Sequence, residues 1–490
     1  MIYNLFKEVP NMSIVTNENI LKVLNSYNPW WRTGNLPQGY SKPMKRFAYY
    51  ESEKAFKHKE LRRFVILSGA RRVGKTTILY QQIETLLSDG IDSKNILYVS
   101  FDNPLLKFCT IDEIIECYIN NILFKVEEKV YLFFDEIQYA MDWDNWLKVF
   151  YDTKLNWRVV ATGSSSPEID KGGTESGTGR WITITVPTLS FYEYLELIGE
   201  TVTNVSNKYK ISDLQAISVK ELNNLMNSLE PLQKHFNRYL TVGGFPELVM
   251  SNDDLYAGRI LRDDIVDKVL KRDIPSLFKI RNISILEKVF LYLCFNSSNL
   301  INFSNMSREL ENTSVPTLQD YIMFLERANL IYISNPINMS AKQNLKARPK
   351  VYIVDSAIRN AVLMKDDILT DSTEMGFVVE TAIFRHMATF TYRSHGKIGY
   401  YRDSNNDKEI DIVTEIVKNR IYIEAKNRGK SDIKSDNPLY NIPTKNDRAF
   451  VITKNSMDYG VTTLQGGMKI TRIPAYAFLY LLGVEESLSL

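Results

Sequence analysis

The sequence predicts an α/β protein with a helix-covered parallel sheet at the front, a helical middle and a second α/β block at the back. Three observations predict it. Between Phe64 and about Phe191, the runs "FVILSG", "ILYVSF", "VYLFFDE" and "RVVATG" alternate with helical stretches such as "KTTILYQQIETLLSD" and "DWDNWLKVFYDTK". Runs apolar on both faces belong to a parallel sheet buried under helices. The first run leads directly into "GARRVGKTT", a glycine-rich turn between a predicted strand and a predicted helix. The last block, from about Lys350, mixes strands and helices and includes the successive strands "KEIDIV" and "RIYIEAKN".

The bulk numbers set limits. At 490 residues the chain exceeds one comfortable core, so several domains are expected. With 44% hydrophobic and 24% charged residues it is a folding chain rather than a disordered one. A net charge of +2 means that any nucleic-acid binding must come from local patches. Three cysteines without CxxC spacing and four scattered histidines argue against structural zinc, and free thiols suit a reducing cytoplasm. The start "MIYNLFKEVPNMS" has no secretory-signal pattern, and no apolar stretch approaches membrane-spanning length. A cytoplasmic protein without a membrane partner is therefore expected.

The glycine-rich turn matches GxxxxGK[ST] at Gly69, Gly74, Lys75 and Thr76, with Ala70, Arg71, Arg72 and Val73 in the loop and Thr77 behind it. In such a loop the backbone N–H groups curl around phosphates, the lysine reaches the outer phosphates and the hydroxyl serves Mg²⁺. Sixty residues after Lys75, "YLFFDE" places Asp135 at the end of an apolar strand, where it can hold Mg²⁺ through water. Glu136 follows and can polarise an attacking water. A helix-capping acid pair is the plainer alternative, but the two motifs in register favour ATP and Mg²⁺. An additional strand, "ILYVSF", falls between the motifs, as in the ATPase class with a catalytic glutamate. Ser164, in "VVATGSSS", can contact the water or the γ-phosphate. Arg180, in "GTGRWITITV", could reach the nucleotide of a neighbouring subunit, or could be a solvated arginine after a glycine loop.

Taken together, "NPWW", "GARRVGKTTILYQ", "ILYVSFDN", "FFDEIQ", "ATGSSS", "TLSFYEYL" and "YLTVGGFPELV" resemble a family of prokaryotic AAA-type ATPases. Members carry a C-terminal domain of unknown function thought to resemble restriction endonucleases. The resemblance implies a P-loop ATPase core, a winged helix and a nuclease-like end. The "TLSF" here, where the family tends to show "PLSF", touches no chemical group.

The expected organisation is a lead-in over residues 1–60, a P-loop core over 61–205, a helical lid over 206–280, a winged helix over 281–345 and a restriction-endonuclease-like domain over 346–490. In the winged helix, "SVPTLQDYIMFLERANLI" would be the recognition helix, with Leu318, Tyr321, Ile322, Leu325 and Leu330 as its buried stripe. Its outward positions Gln319, Asp320 and Glu326 suit phosphates poorly, so Lys342, Lys346, Arg348 and Lys350 are the better DNA-contact candidates, unless that run is a solvated linker. In the last block Asp411, Glu424 and Lys426 follow the hairpin order of PD-(D/E)XK nucleases, with Glu380 from the upstream helix as a further acid. There, Asp411 and Glu424 would hold Mg²⁺ and Lys426 would stabilise developing charge. An ion-paired cluster on a sheet face is the alternative, although three carboxylates around one lysine call for a divalent cation or raised pKa values.

Two functions compete. One is an ATPase coupled to a DNA-binding and DNA-cleaving domain. The other is a nucleotide-switched binding or signalling ATPase whose nuclease-like domain is an inactive docking module. A homo-oligomer or a partner protein is expected in either case.

Overall fold

The computed structural model describes residues 15–490 except 59, 124–127, 165–178, 201, 203–207, 279, 281, 340–346, 366–367, 404–407, 417–418, 427–436 and 465, and it leaves the Lys426 side chain undescribed. The chain packs as two units, Met1–Gly69 with Gly74–Val186, and Ala70–Val73 with Pro187–Leu490.

The first unit is a five-stranded parallel sheet of β1 (Phe64–Ser68), β2 (Ile96–Ser100), β3 (Val130–Asp135), β4 (Trp157–Gly163) and β5 (Trp181–Thr185), in the order β2-β3-β4-β1-β5. Every residue of β1 is buried, as an apolar strand covered on both sides requires. Helices Lys75–Ser88, Ile111–Asn121 and Trp143–Thr153 make the crossovers. Because β4 lies between β1 and β3, the loops after these three strands leave the sheet side by side at its carboxyl edge. Open α/β sheets bind ligands at that edge.

The lead-in closes one side of this sheet. The edge strand β2 would otherwise present unpaired backbone groups. Trp30 and Trp31 both donate their indole N–H to the Ile96 carbonyl, at 3.1 and 2.8 Å. Asn28 forks onto Tyr98, donating to its carbonyl at 2.9 Å and accepting from its N–H at 2.6 Å. The "NPWW" stretch is thus a side-chain substitute for a sixth strand.

The second unit begins with helix Phe191–Ile198, whose Ser190 and Glu193 form a reciprocal capping box. "TLSF" matters here through its backbone: buried Arg385 donates to the carbonyls of Thr188, at 3.0 Å, and of Leu189. The "GGFPE" turn is equally constrained. Gly243 has φ +76° and a Cβ on it would lie 2.3 Å from Asp355 Oδ1, while the Gly244 N–H donates to Asp355 Oδ2 at 2.9 Å. Helices Ile283–Phe295, Phe303–Glu309 and Val315–Arg327 precede an antiparallel ribbon of β6 (Ile331–Ser334) and β7 (Lys350–Ile353). Leu318, Tyr321, Ile322, Leu325 and Leu330 are buried, as the 3.6-residue period predicts.

Helix Ser372–Arg393 then leads into a six-stranded sheet, β12-β13-β11-β10-β9-β8. Its strands are β8 (Lys397–Arg402), β9 (Glu409–Ile416), β10 (Asn419–Lys426), β11 (Arg448–Thr453), β12 (Gly460–Thr463) and β13 (Lys469–Pro474). Strands β8, β9 and β10 form an antiparallel meander, and β10, β11 and β13 run parallel. Helix Ala475–Ser487 is buried without a break from Ala475 to Val484, consistent with its all-round apolar sequence. Among the described residues, no helix is long and apolar enough to cross a membrane.

Candidate functional site

At the carboxyl edge of the first sheet, β1 runs out into the glycine-rich loop and the chain re-enters helix at Lys75. Gly74, at φ +97°, caps that helix without any side-chain hydrogen bond, so its first N–H groups face the loop rather than a cap. Gly69 is required for a different reason: a Cβ there would stand 2.1 Å from the Val186 carbonyl oxygen. Lys75 is buried and its Nζ donates to the Gly69 carbonyl at 2.8 Å, folding the amine back over the loop.

Beside it, Thr76 Oγ1 donates to Asp135 Oδ2 at 2.9 Å. Tyr98 donates to the same oxygen at 2.9 Å, and Thr162 donates to Oδ1. Asp135 is 5% exposed. Burial and the neighbouring Glu136 push its pKa up, against three hydroxyl donors that favour the charged form. A buried carboxylate whose hydrogen-bond donors are neutral hydroxyls, with a threonine hydroxyl beside it, is an oxygen donor set that suits Mg²⁺.

Glu136 adopts the left-handed conformation at φ +52°. Its N–H donates to Thr162 Oγ1 at 2.9 Å. Gln138 donates one amide to both Glu136 Oε2 and Ser164 Oγ, the latter at 3.0 Å. The fold therefore brings Lys75, Thr76, Asp135, Glu136 and Ser164 together from three adjacent strands. Sequence reasoning missed Tyr98, Thr162 and Gln138. Gln138 lies two residues past "DE", but the other two become neighbours of Asp135 only through strand pairing.

The loop tip, Ala70–Val73, packs with the second unit. Arg71 bridges to Asp273 through Nη2–Oδ1 at 2.9 Å and a further contact from Nε. Arg72, at φ +61°, bridges to Glu247 and to Asp264, each at 2.7 Å. Asp264 and Asp273 lie on a helix, Asp254–Phe278, that winds as π-helix over Leu261–Val266 and Val269–Asp273. Such stretches concentrate at functional sites.

Arg180 does not join the loop within this chain. Its carbonyl accepts from the Phe64 N–H at 3.0 Å, so it stands at the amino edge of the sheet, a strand length of about 16 Å from the phosphate side. Its guanidinium pairs with Asp152 at 3.0 Å.

The last registered pair of β9 and β10 is Ile412 with Ile423. Beyond it the Ala425 N–H donates to Asp411 Oδ2 at 3.0 Å. Glu424 is buried and accepts from Asn437 Nδ2 at 3.2 Å. Glu380, from helix Ser372–Arg393, accepts from the Tyr352 hydroxyl at 3.0 Å, and burial with Asp411 nearby pushes its pKa up to about 8. Among the described side chains, Lys350 lies beside Asp411. It was expected on an exposed basic run as a DNA contact, but it is 2% exposed and paired with Glu409 at 3.0 Å and Asp411 at 3.5 Å. All four residues of β7 are buried, and the half-buried Glu409 and Asp411 compensate the charge of Lys350 there. Arg348 remains exposed, and Lys342 and Lys346 lie outside the described residues. The Lys426 side chain also lies outside what is described, while its backbone ends β10. Among the described residues, no group of three or more His, Cys, Asp and Glu is disposed to hold a metal ion.

Comparison with known proteins covers most of the chain in three pieces. An uncharacterized protein of Haemophilus influenzae is 28% identical over 74% of this chain and 81% of its own length. The uncharacterized protein MJ1544 of Methanocaldococcus jannaschii is 26% identical over 79% of this chain and 82% of its own. The Orc1 protein of Aeropyrum pernix, solved in complex with DNA, superposes loosely, with a TM-score of 0.30 and 11% identity over 69% of this chain and 96% of that one. Residues 233–368 match a domain of unknown function (DUF8612), and residues 375–476 match another (DUF4143). Residues 61–195, which hold the glycine-rich loop, Asp135, Glu136 and Ser164, match the model of an AAA domain, so the front of this chain is similar to that ATPase domain.

Proposed function

We propose that the protein is a Mg²⁺-dependent ATPase that works as a nucleotide-switched binding protein, its C-terminal α/β domain serving as a docking module. The observation that carries the ATPase half is the 2.9 Å contact of Thr76 with buried Asp135, beside Lys75 and within one loop of Glu136. The loop N–H groups and Lys75 would hold the β- and γ-phosphates. Thr76 and Asp135 would hold Mg²⁺, which supplies charge neutralisation on the phosphate oxygens. Glu136 orients the attacking water and takes its proton, and Gln138 and Ser164 fix that carboxylate and the water beside it. Purified protein is expected to hydrolyse ATP with Mg²⁺, Lys75→Ala to lose nucleotide binding, and Glu136→Gln to bind ATP while turning over about 10²–10⁴-fold more slowly. Equal turnover by wild type and Lys75→Ala would overturn this proposal.

Arg180 can act on a γ-phosphate only in another copy, given its place at the amino edge of its own sheet. That role predicts turnover per chain that rises with protein concentration and a concentration dependence that Arg180→Ala abolishes.

For the C-terminal domain, the order of helix, antiparallel meander and parallel strands supports the nuclease-like architecture, and the three helices with the β6–β7 ribbon support a winged helix. The docking role is favoured over DNA cleavage because both oxygens of Asp411 are engaged, Oδ1 by Lys350 and Oδ2 by the Ala425 N–H. DNA is one partner it could dock, through Arg348 and its basic neighbours in sequence. Cleavage of DNA that survives in Lys75→Ala but not in Asp411→Asn would replace docking with cutting.

A further inference from the structure

Asp135 is held at both of its oxygens by side chains from the strands on either side of it. Strand β3 pairs with β2 so that Ser100 stands opposite Asp135, which sets Tyr98 one diagonal step back on the same face. On the other side Phe134 pairs with Ala161, so Thr162 arrives beside Asp135. The Tyr98 hydroxyl donates to Oδ2 at 2.9 Å, and the Thr162 hydroxyl donates to Oδ1. Thr76 shares Oδ2 with Tyr98, also at 2.9 Å, but its hydroxyl oxygen is the one that would serve Mg²⁺. Tyr98 has no such second duty. It is buried, and it is fixed from three sides. Asn28 pins both its backbone groups, the Tyr80 ring stacks on it with centroids 5.0 Å apart, and the Tyr27 ring meets it edge-on at 5.9 Å.

We propose that Tyr98 is a positioning residue for the metal-binding acid: its hydroxyl keeps the Asp135 carboxylate aligned with Thr76, ready for Mg²⁺, and Tyr80, Tyr27 and Asn28 keep Tyr98 in place. The proposal rests on the Mg²⁺-dependent ATPase reading and deepens it by naming the group behind the metal acid. A hydrogen-bond donor of this kind stops a carboxylate from turning its lone pairs elsewhere, and losing one costs about 10–100-fold in metal affinity. Tyr27 ends helix Asn17–Tyr27 and Asn28 follows it, both ahead of the first strand of the sheet. The lead-in thus takes part in the site by way of one side chain.

The test follows a fluorescent ATP analogue binding to the full-length protein, first in EDTA and then as Mg²⁺ is titrated in. Wild type is expected to bind more tightly as Mg²⁺ rises. Tyr98→Phe keeps the ring between Tyr80 and Tyr27 and removes the hydroxyl. It is expected to match wild type in EDTA and to need about 10–100-fold more Mg²⁺ for half of the gain in affinity. Tyr80→Leu leaves the hydroxyl and loosens the ring, and it is expected to move the Mg²⁺ midpoint in the same direction. That variant carries the test should Tyr98→Phe fail to fold. A Mg²⁺ midpoint unchanged in Tyr98→Phe, or in Tyr80→Leu where that variant carries the test, overturns the positioning role whatever the melting temperature, and leaves the ATPase standing. Wild-type affinity that ignores Mg²⁺ would sink the metal-dependent reading itself, and this inference with it.

Discussion

His386 shows how much a single side chain can be bound to one state. It is fully enclosed on helix Ser372–Arg393, its Nε2 accepts from the Phe191 N–H at 2.8 Å, and its Nδ1 lies 2.6 Å from the Ala382 carbonyl. Those partners require a neutral ring with the proton on Nδ1. Burial, with Arg385 alongside, holds its pKa well below the usual histidine range. The unfolded chain, with an ordinary histidine near 6.5, takes up a proton that the native state refuses. This contribution to stability is therefore complete above about pH 6.5 and is lost as the pH falls, at up to about 1.4 kcal/mol per pH unit. In denaturant titrations from pH 7.5 to 5, wild type should lose stability relative to His386→Gln with up to that slope, the raised pKa values of Glu380, Glu196 and Glu486 acting in the opposite direction in both proteins. Gly69 is a second case. The motif assigns it to the phosphates, yet the 2.1 Å approach of Val186 shows that it also lets β1 and the end of β5 converge. Gly69→Ala should lower the melting temperature of the nucleotide-free protein as well as weaken ATP binding. An unchanged melting temperature would show that the neighbouring backbone gives way without cost.

Among the elements, the edge strand β2 depends on a segment seventy residues upstream. Asn28 satisfies both the carbonyl and the N–H of Tyr98, whose hydroxyl in turn reaches Asp135. Asn28→Ala leaves two enclosed backbone groups without partners, a cost of about 1–3 kcal/mol by the usual penalty for an unsatisfied group. Chemical denaturation should show that loss, and ATP turnover should fall with it because Tyr98 holds Asp135. Turnover at the wild-type rate in the destabilised variant would separate the edge from the site. The β9–β10 hairpin is a contrasting element. Both faces of β10 are buried from Ile421 to Glu424, with Tyr422 packed in the core with Val413, Ala449 and Val451. What its polar end faces was not legible, because Lys350 reaches it from a strand elsewhere in the chain.

Over the whole molecule, the chain packs as two units, and Ala70–Val73 belong to the second. Arg71 and Asp273 are enough enclosed, at 17% and 4% side-chain exposure, for their ion pair to matter. Removing one member of such a pair costs about 3–5 kcal/mol, because the other charge stays behind uncompensated. Asp273→Ala should therefore lower the melting temperature and, by removing one partner of Arg71 at the loop tip, change ATP affinity. If affinity stays at the wild-type value in the folded variant, the pair is structural alone. Local sequence was enough to specify the parallel sheet, the glycine-rich loop and the Asp135–Glu136 pair, because strand burial, loop conformation and motif spacing are encoded over a few neighbouring residues. Long-range packing alone decided that Tyr98 and Thr162 converge on Asp135, that Arg180 stands at the far edge of its sheet, and that Lys350 sits against Asp411. Each of these contacts joins residues tens of positions apart, and which ones meet depends on strand order and on where a buried charge can find its counter-charge.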